Sequence, residues 1–174
     1  LVELCLALAV RRVGLVERML DEQLSRMSDP EALARLRFLR DAAHPDPLIR
    51  EAFFATLREP ARRRKEPWVI DALRLLHHPL RAAESQSQLR PGLELLEEIH
   101  ATGDIFFPEQ WLRALLEGHR SPAARKTVED YLAAHPKLSP RLRNKVLQAA
   151  DTLFRASATP ARKIVREAGH EIAQ

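Results

Sequence analysis

EPWVIDALRLLHHPLR, residues 66–81, is the stretch on which the fold turns. Pro67 stands where a helix tolerates proline, in the first turn, because the N–H it lacks has no intrahelical partner there. Val69, Ala72, Leu73 and Leu76 then follow at i, i+3, i+4 and i+7, one face of a helix. His77-His78-Pro79 closes the run. Neighbouring side chains on a helix point about 100° apart, so His77 and His78 are poorly placed to share a metal. Pro79 biases His78 out of helical geometry. The segment reads as an amphipathic helix with a stop signal, not as half of a metal site.

The same punctuation recurs along the chain. Ser28-Asp29-Pro30, Asp46-Pro47, Phe107-Pro108, Ser121-Pro122, Ser139-Pro140 and Thr159-Pro160 each open an apolar-periodic run. One helix, around LRPGLELLEEIHATG, instead carries Pro91 and Gly92 in its first turns. His44-Pro45 and His135-Pro136 repeat the stop, and a histidine in a last turn can donate to the free carbonyls there. Leu89, Leu93, Leu96 and His100 form one stripe; Leu142, Val146, Ala149, Ala150 and Leu153 form another. No segment alternates with period two. Ile105-Phe106-Phe107, the one short run that a strand might claim, reads as a loop plugged into the core.

Composition agrees. The chain has 174 residues, 45% hydrophobic and 30% charged, with only five glycines. Leu, Ala, Arg and Glu dominate, and all are strong helix formers. Helix starts recur about every 14 to 21 residues, so a pair takes roughly 40, the period of HEAT and armadillo units. The expectation is one all-α domain over residues 1–174, an irregular α-solenoid of about eight or nine helices in a HEAT/armadillo-like superhelix.

Charge and motif content narrow the chemistry. The net charge of +4 is spread among acids, and the single dense run, Arg62-Arg63-Arg64-Lys65, reads as a solvated loop between helices, with no nucleic-acid partner expected. The lone Cys5 sits in an apolar stretch and excludes an internal disulfide; a buried structural thiol in a reducing, cytoplasmic setting is expected. LVELCLALAV (1–10) is too short for a membrane span and reads as part of a buried helix in a longer protein. Of the seven histidines, His170-Glu171 begins a His-Glu-x-x-His pattern, but position 174 is Gln. There is no nucleophile elbow, P-loop or dinucleotide fingerprint. Glu97-Glu98 and Glu129-Asp130 read as solvent-facing charge, and Trp68, Trp111, Phe53, Phe54, Phe106, Phe107, Tyr131 and Phe154 mainly as packing anchors. No catalytic, cofactor-binding or metal-ligating residue is assigned.

Four segments in order, DPLIREAFFATL (46–57), EPWVIDALRLLHHPLR (66–81), LELLEEIHATGDIFFPEQWLRALLEGH (93–119) and RLRNKVLQAADTLFRA (141–156), resemble the C-terminal helical domain of the M1 family of zinc aminopeptidases, of the bacterial type. The resemblance covers most of residues 28–156. It implies a HEAT/armadillo-like domain that packs on the catalytic domain of its own parent chain, encloses the substrate chamber and contacts the peptide. It also implies zinc in the parent, in a catalytic domain whose motifs are not in this sequence, so the chain alone is expected to be silent. A free-standing HEAT-like adaptor that binds a protein partner fits the same composition and periodicity.

Overall fold

Pro30, Pro47 and Pro122 mark helix starts, each with a short polar side chain just before it as the cap. Asp29 Oδ1 and Oδ2 accept the amide protons of Glu31 and Ala32, at 3.1 and 3.3 Å. Asp46 Oδ1 accepts from Leu48 N at 2.8 Å, and Ser121 Oγ from Ala124 N at 3.0 Å. Each satisfies an amide that the first turn leaves without a partner, a cap contributing about 1 kcal/mol.

The computed structural model describes residues 1–158, so the start expected at Thr159-Pro160 lies outside the described residues. Within them the fold is all-α. In chain order the helices are α1 (Val2–Val10), α2 (Val16–Arg26), α3 (Pro30–Ala43), α4 (Pro47–Thr56), α5 (Glu66–Leu76), α6 (Leu89–Glu94), α7 (Leu96–Thr102), α8 (Phe107–Leu116), α9 (Pro122–Ala134) and α10 (Pro140–Ala158). Short 3-10 turns occupy Pro60–Arg63, Pro79–Arg81 and Gln86–Gln88.

Packing follows chain order. α1 packs on α3, α3 on α5, α5 on α8 and α8 on α10, making one row. The intervening helices lie against that row: α2 on α1 and α3, α4 on α3, α6 and α7 on α8, and α9 on α10 and α6. The stripe read from α5 is its buried face, with Val69, Ala72, Leu73 and Leu76 at 0–1% exposure. Leu142, Val146, Ala150 and Leu153 are likewise buried, with Ala149 at the margin. Each such leucine contributes on the order of 1.5–3 kcal/mol of burial.

Two local readings need correction. The stripe through 89–100 fails at its last member: His100 is exposed and Ile99 is buried instead. The run is not one helix. The Trp111 indole donates to Gly92 O at 2.9 Å, taking the carbonyl that a continuous helix would offer to Leu96, and the helix breaks at Leu95. The new phase turns Ile99 inward. Gly92 also packs closely on Leu115, whose Cδ1 a Cβ there would meet at 2.7 Å. The second correction is the 105–107 segment. Only Phe107 enters the core; Ile105 and Phe106 are 61% and 65% exposed. Asp104 forms a tight turn, its Oδ1 accepting from Phe106 N and its own N–H donating to Glu66 Oε1, so the chain enters α8 directly.

Candidate functional site

The His77-His78-Pro79 segment stops α5 as its sequence indicates, but the two histidines do different work. His78 has extended backbone (φ −57°, ψ 143°), and its Nδ1 accepts from Leu80 N at 3.2 Å. His44 does the same before α4, at φ −54°, ψ 141°, accepting from Asp46 N at 3.0 Å. A His-Pro pair thus caps the turn that follows it. His135 alone acts as the sequence suggested, its Nδ1 lying 2.8 Å from the last-turn carbonyl of Tyr131, while its Nε2 lies 3.1 Å from Glu94 Oε2.

His77 turns into the protein. It is 1% exposed, and its Nδ1 lies 3.0 Å from Nε2 of His119, also 1% exposed. Burial holds both imidazoles in the neutral form: it pushes His77 well below its ordinary pKa, with His119 adding to the effect, and it takes His119 down to about 4, helped by Arg120. The pair joins the end of α5 to the end of α8. Gly118 makes the approach possible, because a Cβ there would fall 1.6 Å from the carbonyl oxygen of His77.

Arg81, the last residue of the opening segment, extends this junction. It is 1% exposed and donates to Ala9 O at 2.8 Å, Ala42 O at 3.2 Å and Ala43 O at 2.7 Å. These are the terminal carbonyls of α1 and α3. Burial lowers its pKa to about 10, with Arg50 lowering it further and Glu84 opposing. Arg50, 3% exposed, donates to His44 O and Pro45 O and pairs with Glu84, which also holds Arg12. The carboxyl ends of α1, α3, α5 and α8 therefore meet at one edge of the row. Elsewhere Arg63 reaches Leu57 O after α4, Arg143 reaches Leu132 O in the last turn of α9 and Arg120 reaches Glu117 O after α8. The partial negative ends of α1, α3, α4, α8 and α9 are thus met by guanidinium groups, the arrangement that the macrodipole favours. Sequence reading saw arginines and proline stops but could not pair them, since the partners lie up to 72 residues apart.

The basic run is equally engaged. Arg63 is buried and pairs with Glu98, Arg62 stacks over Phe38, and Lys65 pairs with Glu31 and lies over Trp68. Cys5 is fully buried. Glu129 and Asp130 pair with Arg125 and Lys126 one turn earlier. Among the described residues no group of three or more metal-ligating side chains converges. His170 and Glu171 lie outside them.

Three clefts run along the exposed side of the row. The first, of about 240 Å³, has walls from α1 and α5 with Leu39 of α3 between them. The second, about 300 Å³, lies between the ends of α5 and α8, and the third, about 270 Å³, between α8 and α10. Arg74 and His78 are common to the first two, and Glu117 to the second and third. The result is a chain of depressions with charged rims, spanning the row from α1 to α10.

No family model, curated protein or solved structure matches this chain.

The geometry just described is therefore what bears on function. It offers a grooved, mixed-charge surface on an all-α scaffold, with the buried arginines Arg50, Arg63 and Arg81 donating to carbonyls at or just after helix ends. No described helix is long and apolar enough to cross a membrane.

Proposed function

We propose that the chain is the C-terminal helical domain of an M1-like zinc aminopeptidase, which packs on the catalytic domain of its parent and encloses the substrate chamber. The observation that carries this reading is the ordered set of four segments between residues 46 and 156. Two features of the structure support it. The four segments fall in chain order on helices of one packed array, α4, α5, α6 to α8 and α10, as HEAT/armadillo-like stacking would have them. The depressions along the row form a continuous surface suited to contact with an extended peptide. In this reading the domain shapes and closes the chamber, and zinc-activated water chemistry belongs to the parent's other domain.

Purified chain should hold no stoichiometric zinc and should not turn over aminoacyl substrates; either result in the opposite sense overturns the proposal. The reading frame upstream of Leu1 should encode a His-Glu-x-x-His helix. The adaptor reading is favoured by one observation, the exposed apolar side chains Leu1, Leu4 and Leu15 at the α1 end. A start codon immediately before Leu1 would select it.

A further inference from the structure

The cleft between α1 and α5 has a floor and two unlike ends. Its floor is apolar, formed by Leu6, Val10, Leu39 and Leu75. α1 and α5 end at the same edge of the row, so their early residues lie at one end of the cleft and their late residues at the other. Glu3 and Asp71 mark the early end. Both are already matched, because Arg35 of α3 bridges them at 2.9 Å each. Arg11 and His78 mark the late end. Arg74 lines the wall between the two ends, its Nη1 3.4 Å from Asp71 Oδ1. From Glu3 to Arg11 the helix rises about 12 Å.

The late end and the wall leading to it carry donors that are not used up. Arg74 is 63% exposed, and its one close acid, Asp71, is 3.4 Å away and already held by Arg35. Arg11 spends one nitrogen on Ala7 O. His78 Nδ1 accepts from Leu80 N, so in the neutral ring the proton sits on Nε2. Burial, then Arg11 and Arg81, lower the His78 pKa, which favours the neutral ring. An anion fits this end, and an apolar body fits the floor.

We propose that this cleft is a binding site for an apolar carboxylate, the aliphatic or aromatic body lying over Leu6, Val10, Leu39 and Leu75 and the carboxylate meeting Arg74, Arg11 and His78. Two guanidinium groups with a neutral N–H donor suit a planar acceptor. A free amphiphile and the carboxyl end of a peptide share this chemistry. The site goes beyond the aminopeptidase reading and does not depend on it.

The test uses the full 174-residue chain and three probes followed by NMR: an acetylated tripeptide ending in free leucine, the same peptide as its amide, and octanoate. The acid peptide or octanoate should bind in the millimolar range or tighter, at least tenfold better than the amide. Binding should shift the His78 ring resonances. Arg74→Gln and Arg11→Gln should each lower acid affinity about fivefold while leaving the far-UV spectrum unchanged, since both side chains lie at the surface. A preference for octanoate identifies a free amphiphile and a preference for the peptide identifies a chain end; both outcomes support the site. Equal binding of acid and amide, no binding of any probe at 10 mM, or acid binding unaffected in the double variant would overturn it.

Discussion

Replacing Arg81 by methionine tests the central claim about the row, that a single guanidinium fastens the ends of two helices. Methionine keeps an unbranched side chain of similar reach but removes the charge and every donor. Three carbonyls, those of Ala9, Ala42 and Ala43, then lose partners now at 2.7–3.2 Å. With each such bond contributing about 1 kcal/mol net, the variant should lose about 3 kcal/mol. Burial already taxes the charged form, as the pKa of about 10 shows. Arg81→Lys should therefore not rescue fully, because one ammonium cannot fork between two helix ends. It should recover about half. The assay is urea unfolding of the full chain, where about 3 kcal/mol at a slope near 2 kcal/mol/M moves the midpoint down by about 1.5 M. If the Met variant unfolds within about 0.5 kcal/mol of the parent, or Lys matches Arg, the fastening role is wrong.

The buried histidine pair makes stability depend on pH. His119 takes its proton at about 4 when folded and near 6.5 when unfolded, so the unfolded chain binds more protons between those values. The contribution is complete above pH 6.5 and fades as pH falls toward 4, by about 3 kcal/mol in all, with His77 acting in the same direction. Denaturation midpoints measured from pH 7 to 5 should fall, and an unchanged slope in a His77→Gln/His119→Gln variant would refute the assignment. Gly118→Ala places a methyl group 1.6 Å from a backbone oxygen; a loss of about 3 kcal/mol is expected in thermal unfolding, and a neutral result would mean the α5–α8 junction is looser than described. Asp29→Ala and Asp46→Ala should each cost about 1 kcal/mol, with the Asn variants close to the parent in the same assay.

Sequence patterning made the helix starts legible because capping and proline chemistry are local: Asp29, Asp46 and Ser121 act within three residues of themselves. The α5 stripe was legible for the same reason. Legibility failed where a distant residue changed a local choice. Trp111 claims the Gly92 carbonyl from 19 residues away and resets the phase of the following turn, moving His100 out and Ile99 in. Phe106 and Phe107 are identical in sequence chemistry, yet a hydrogen-bonded turn at Asp104 separates one from the core. The candidate cleft was hidden more deeply. Its residues come from α1, α3 and α5, and none belongs to a spaced motif. Only packing separates Arg74, left available, from Arg81, already committed.

The gathering of four helix ends at one edge has a mechanical meaning. Arg81, the His77–His119 pair and the Gly118 contact all lie on that side of the row, whereas among the described residues the bridge at the opposite end of the α1–α5 cleft is Arg35, 30% exposed between two carboxylates. Exposed ion pairs hold weakly and loosen in salt. The row is thus bound like the leaves of a fan, stitched at the pivot and lightly tied at the rim. Slow opening should spread the early ends of α1, α3 and α5 while their late ends stay together, widening the cleft from its acidic side and keeping Arg11, Arg74 and His78 in register.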